Sequence, residues 1–190
     1  MKKIMYVFAI SAFMAVFVSC GKKTETDSKE MAEDQNEEKF DDSDVQKDTD
    51  FAVEAADAGM LEVQLGQLAV ANASSSEVKK LGQTMIDEHS KANDELKALA
   101  QQKNITLPAA LSDKSQKHYE DLAKKTGTDF DKEYTDMMVK GHKDVLDKFK
   151  KEADKGNDAD VKSWASGKIA TLEHHLMMSE NAQTAVKDSR

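Results

Sequence analysis

The chain has 190 residues, with 36 Asp and Glu against 27 Lys and Arg, giving a net charge of −9. That balance, with no basic stripe along the chain, excludes nucleic acid as a partner, because phosphate binding needs clustered cations. A single cysteine, Cys20, rules out an intramolecular disulfide, and no Gly-rich phosphate loop, nucleophile elbow or cysteine-pair metal motif occurs.

The chain begins "MKKIMYVFAISAFMAVFVSC", with Lys2 and Lys3 ahead of an apolar run from Ile4 to Val18. This is the plan of a signal peptide over residues 1–19, and the run is shorter than the about 20 residues of a durable span; a retained anchor helix is the alternative. "FVSC" resembles the lipobox of bacterial lipoproteins, which implies lipidation at Cys20 and attachment to a membrane through that lipid. Phe17 stands where such motifs more often have Leu, so an ordinary signal-peptidase cut stays open. From Thr24 to Asp50 there are twelve acidic residues and three lysines, with one Phe, one Val and Met31 as the large apolar residues. Such a segment buries too little apolar surface to offset its ordering entropy. Residues 20–47 are therefore expected to be a disordered acidic tether, and residues 48–190 the folded domain.

The domain is rich in Ala, Leu, Lys, Glu and Met, which are helix formers, and holds the chain's one proline. Punctuation divides it. Ser74 and Glu77 stand at capping-box spacing, as do Thr128 and Asp131; Gly127 and Gly156 read as stops, and "NITLPAALS" around Pro108 as a break. Four helices are expected, at about 48–73, 76–103, 128–155 and 158–186, each about 40 Å long. The connection from Asn104 to Gly127 is long enough to run the height of a bundle, and its middle reads as a short helix using Leu111, Tyr119 and Leu122. The expected fold is all-α, a ferritin-like four-helix bundle with one long crossover containing a short helix.

Apolar residues in steps of three and four give each helix one buried face. They are Phe51, Ala55, Ala58, Leu65 and Leu68; Val78, Leu81, Met85, Ala92, Leu96 and Leu99; Phe130, Tyr134, Met138, Val145 and Phe149; and Val161, Ala165, Ile169, Leu172 and Leu176. The order "EAADAGMLEVQLGQLA", "VKKLGQTMIDEHSKANDELKALA", "GTDFDKEYTDMMVKGH" and "IATLEHHL" resembles domain-of-unknown-function family 4142 of exported bacterial proteins. The resemblance implies a ferritin-like helical domain in the cell envelope, often at the outer membrane, and brings no settled biochemical role. Its recurring positions fall on Glu62, on His89 preceded by Asp87 and Glu88, on Phe130, Asp131, Tyr134 and His142, and on His175. The doubling "EHH" leaves open which of His174 and His175 faces inward.

Four polar residues interrupt the four apolar faces: Glu62, His89, His142 and His175. In a ferritin-like topology each lies about 11 to 14 residues from the same end, a depth of about 16 to 21 Å. A buried carboxylate needs a partner or a metal, and a buried imidazole needs partners for both nitrogens. The layer could hold a metal, or satisfy itself by hydrogen bonds with Tyr134 or trapped water. Di-iron bundles need Glu three residues before His; here Ile86, Val139, Thr171 and Leu172 occupy those places, so ferroxidase or oxygenase chemistry is not expected. Three imidazoles and a carboxylate suit zinc or copper. Met85 and Met138, four residues before two of the histidines, are candidate thioether ligands for Cu(I) or plain core fillers. His118, in the crossover, is expected to be exposed. The functional expectation is an exported lipoprotein handling a transition metal, or serving a stress response, in the envelope. The alternative is a structural or protein-interaction module in which the polar layer fixes helix register.

Overall fold

The structure, a computed structural model, describes residues 27–40 and 43–189. Among the described residues there are six helices: α1 (Ser28–Lys39), α2 (Ser43–Asn72), α3 (Ser76–Lys103), α4 (Asp113–Ala123), α5 (Gly127–Lys155) and α6 (Ala159–Asp188). None is long and apolar enough to cross a membrane. The signal peptide and Cys20 lie outside the described residues.

Short polar side chains start the helices. Ser75 Oγ accepts from Val78 N at α3, Ser112 Oγ from Ser115 N at α4, and Asp158 Oδ1 from Asp160 N and Val161 N at α6. Ser75 thus takes the capping position expected of Ser74. Asn104, with φ 57°, ends α3 in the left-handed region. Gly127, expected as a stop, is the first residue of α5 and has φ 63°.

Three buried aspartates fix how the helices are arranged. At one end of the bundle Asp131 of α5 accepts from Ser74 N and Ser75 N (3.0 and 2.9 Å), so the start of α5 lies beside the α2–α3 connection. Asp131 was expected to cap its own helix; the N-cap of α5 is instead Thr126, with no side-chain cap hydrogen bond. At the other end Asp48 of α2 accepts from the backbone of Asn157 and Asp158, placing the α5–α6 connection beside the start of α2. Helices α3 and α5 therefore run parallel, with α2 and α6 opposed to them. This up-down-down-up order with a full-height crossover is that of ferritin-like bundles. The third aspartate, Asp57, holds the crossover: it accepts from Ser112 N, Ser112 Oγ and Ser115 Oγ at 2.7, 2.8 and 2.7 Å. Helix α2 packs most extensively on α3, and α5 on α6. The α2–α3 approach is close at Gly66 and Gly82: a Cβ at 66 would stand 2.7 Å from Gly82 O, and one at 82 would stand 2.7 Å from Ala69 Cβ.

Of the disordered tether expected over residues 20–47, the described residues 27–40 and 43–47 are instead helix α1 with its flanks and the start of α2. The anchors of α1 are hydrogen bonds, which hydropathy does not register. Asn36, fully buried, donates from Nδ2 to Thr106 O (2.9 Å) and accepts from Thr106 N at Oδ1 (2.7 Å). Ser28 Oγ accepts from Ala109 N and Ala110 N, and Asp27 from Asp113 N. One small apolar residue, Ala32, is buried beneath it.

The core is divided. Toward the α2–α3 turn, Leu65, Leu81, Met85, Phe130, Tyr134 and Met138 form one cluster. Toward the α5–α6 turn, Phe51, Leu146, Phe149, Val161 and Leu172 form another, with Trp164 against it. The polar layer lies between them.

Candidate metal centre

The helical repeat that carries the apolar stripes also brings His89 from α3, His142 from α5 and His175 from α6 to the bundle interior. All three are buried, His142 and His175 at 1 % exposure. Their ring centroids form a triangle with sides of 5.1, 5.4 and 5.8 Å. One ring nitrogen from each lies within 4.8 Å of the others. His174 is exposed, so His175 is the inward member of the "EHH" pair. His118 is exposed as well.

Hydrogen bonds fix two of the rings. His142 Nδ1 lies 2.9 Å from the Met138 carbonyl oxygen. A carbonyl only accepts, so the proton is on Nδ1 and Nε2 keeps its lone pair. His175 Nε2 lies 3.0 Å from Glu88 Oε2 and donates to it, which leaves the lone pair on Nδ1. The atoms so freed, His142 Nε2 and His175 Nδ1, together with His89 Nε2, are buried and have no hydrogen-bond partner within the protein. Burial, then the neighbouring His142 and His175, holds His89 down to about 3, so its ring is neutral at physiological pH. Burial also lowers His175, opposed by Glu88.

The three histidines line a cavity of about 40 Å³, together with Glu62, Glu88 and Asn93 among others. Around a tetrahedral zinc with bonds of about 2.0 to 2.1 Å, neighbouring ligand atoms stand about 3.3 Å apart. The 4.8 Å set is wider than that by about 1.5 Å, so the three rings would have to draw together around an ion.

Glu62 is in the layer, as expected, but its carboxylate is not among the atoms of the close set. Oε1 lies 4.0 Å from His142 Nδ1, the nitrogen already committed to the Met138 carbonyl, and Oε2 is buried without a partner. Burial raises its pKa, partly opposed by His142. Tyr134, whose hydroxyl is also buried and unpartnered, is held protonated by burial and by Glu62. Met85 and Met138 are fully buried within the apolar cluster next to the layer; the part of Met138 that serves the site is its carbonyl.

The residue to which sequence reasoning gave no role in the site is Glu88. It is exposed, polar and helical, which reads as a solvated face. Its partner His175 is 87 residues away, and only its place next to His89 hinted at a role. A carboxylate on the outer nitrogen of an imidazole orients the ring and raises the basicity of the inner nitrogen.

The family model described as Domain of unknown function (DUF4142) matches residues 29–182. That span takes in α1, which a domain beginning at residue 48 leaves out. No curated protein and no solved structure matches the chain.

Proposed function

This chain belongs to the DUF4142 family, and on that premise, which supplies no role, we propose that it binds one transition metal ion in the middle of its bundle. The ligands are His89 Nε2, His142 Nε2 and His175 Nδ1, with an open position toward Glu62. The observation that carries this reading is the set of three inward ring nitrogens, buried and unpartnered, two of them with the opposite nitrogen already committed to an acceptor. An unpartnered buried polar atom costs about 1 to 3 kcal/mol, and three in one layer are retained most economically if a cation joins them. Zinc and copper suit three imidazoles best. Glu88, held on His175 Nε2, offsets part of the charge of a divalent ion that three neutral rings leave uncompensated.

The signal-peptide plan and "FVSC" place the protein, in this proposal, in the cell envelope, held by a lipid on Cys20 at the outer membrane. Its role there is metal handling or protection under stress. Metal analysis of the purified full chain, with calorimetric titration of Zn(II) and of copper, tests the reading: one ion per chain is expected, lost in His89→Ala and His142→Ala. Absence of binding in the wild type would leave the layer as a device for helix register. Cys20→Ala is expected to release the protein from the membrane fraction.

A further inference from the structure

An ion bound at the bundle middle needs a route in. The histidine cavity shares three lining residues, Ala58, Glu62 and Val145, with a broad open cleft between α1, α2, α4 and α5. Of these three, Glu62 alone is polar. The cleft beyond them is lined by seven carboxylates, Glu62 included, and four lysines, and three of those lysines are held in ion pairs, Lys29 with Glu33 and Glu54, Lys148 with Glu54 and Lys140 with Asp144. Its net charge favours a cation. On the α3–α6 side the cavity wall includes Glu88, whose carboxylate is held by His175, and Lys168, paired with Glu95.

Glycine at position 141 bears on the same partition. Gly141 sits in the interior of α5, where glycine costs about 1 kcal/mol relative to alanine, and it is not among the glycines with positive φ. What distinguishes the place is its neighbour: a Cβ there would stand 3.6 Å from Glu62 Oε1, in ordinary contact. The Glu62 side chain keeps 10 % exposure, whereas that of His142 keeps 1 %. Its Oε1 thus lies at the uncovered Gly141 backbone, while Oε2 is buried and unpartnered.

We propose that Glu62 is the relay by which a divalent cation passes between the acidic cleft and the three histidines, and that Gly141 keeps this relay uncovered. The inference rests on the metal reading above. A carboxylate that takes up the ion on the cleft side and hands it inward lowers the barrier for entry and exit alike, so it changes rates without changing affinity. A permanent fourth ligand would instead change affinity, through the dissociation rate.

The test is stopped-flow loading of the full chain with Zn(II), and release to an excess of chelator, in wild type, Glu62→Gln and Gly141→Ala. Both variants are expected to load and release at least tenfold more slowly, with Kd within threefold of wild type. Gly141→Ala is also expected to be the more stable protein, so its slowing cannot come from misfolding. Raised salt should slow loading of the wild type by screening the cleft. Three results would overturn the relay: a faster release and weaker Kd in Glu62→Gln, which makes Glu62 a ligand; unchanged rates in both variants; or faster loading in Lys168→Ala with Glu62→Gln unaffected, which puts entry between α3 and α6. The last two leave the metal reading standing, whereas a wild type that takes up no zinc or copper ends both.

Discussion

Two layers of the bundle lie about one helical turn apart and are built by the same helices to opposite rules. The layer of Leu65, Met85 and Met138 is apolar and filled, and each of these residues is at most 1 % exposed. The layer of His89, His142 and His175 encloses a cavity and leaves three ring nitrogens without partners. A protein selected for packing alone has cheaper residues for that second layer, since leucine at a histidine position removes the unpartnered nitrogen. The contrast separates residues that hold the fold from residues the fold holds.

The largest effect that should divide the layers is a cavity in the packed one. Phe130→Ala is expected to lose about 3 to 5 kcal/mol in denaturant unfolding, while the zinc-induced rise of the melting temperature persists in what remains folded.

The next effect belongs to the histidines. At a free metal concentration 100 times Kd, stabilisation of about 2.7 kcal/mol is expected, read as a raised melting temperature. His89→Ala, His142→Ala and His175→Ala should abolish it, and His118→Ala and His174→Ala should not. His89→Leu sharpens the contrast by its sign: the metal-free protein should become more stable by about 1 kcal/mol, because a desolvated, unpartnered nitrogen is gone. A loss of that size would mean that the layer is packed for its own sake.

A smaller effect concerns an unpartnered carboxylate oxygen elsewhere, at the α5–α6 end. Burial and then the charge of Asp48 push Glu152 up to about 7 from its ordinary 4.5. The native state then holds a proton that the unfolded chain gives up between these values. The contribution of Glu152 is therefore most favourable below about pH 4.5 and declines as pH rises to about 7, by about 1 to 2 kcal/mol after solvent screening. Glu152→Gln should flatten that decline in a pH series of melting temperatures. Here a proton relieves the kind of cost that, under the proposed function, a metal would relieve in the histidine layer.

The smallest effect tests whether the methionines belong to one layer or to both. Met85→Leu with Met138→Leu should cost less than about 1.5 kcal/mol each and leave Zn(II) affinity unchanged. A selective loss of Cu(I) affinity would extend the centre to their sulfurs.

The helices of the bundle and the inward histidines were legible in the sequence because both obey one repeat: each histidine falls on the stripe marked by its apolar neighbours. What escaped was held by hydrogen bonds between distant residues. Asn36 and Thr106 are 70 positions apart, Asp48 and Asn157 109, and Glu88 and His175 87. No local pattern announces such pairs. Helix α1 was misread for that reason, since its acidic composition argued for disorder while its buried contacts are largely polar. Asp131 was misread because the motif around it matched a capping box, and the side chain instead reaches the turn before α3.

The approach of α2 to α3 at Gly66 and Gly82 leaves no room for those two helices to slide past one another. They form one stiff hairpin, and α5 with α6 forms the other. His89 comes from the first, His142 and His175 from the second. An ion gripped by all three is therefore a clasp across the seam between two units that metal-free protein can open separately. In native-state amide exchange, hairpins that lose protection at different free energies without metal should, once the clasp is fastened, lose it together.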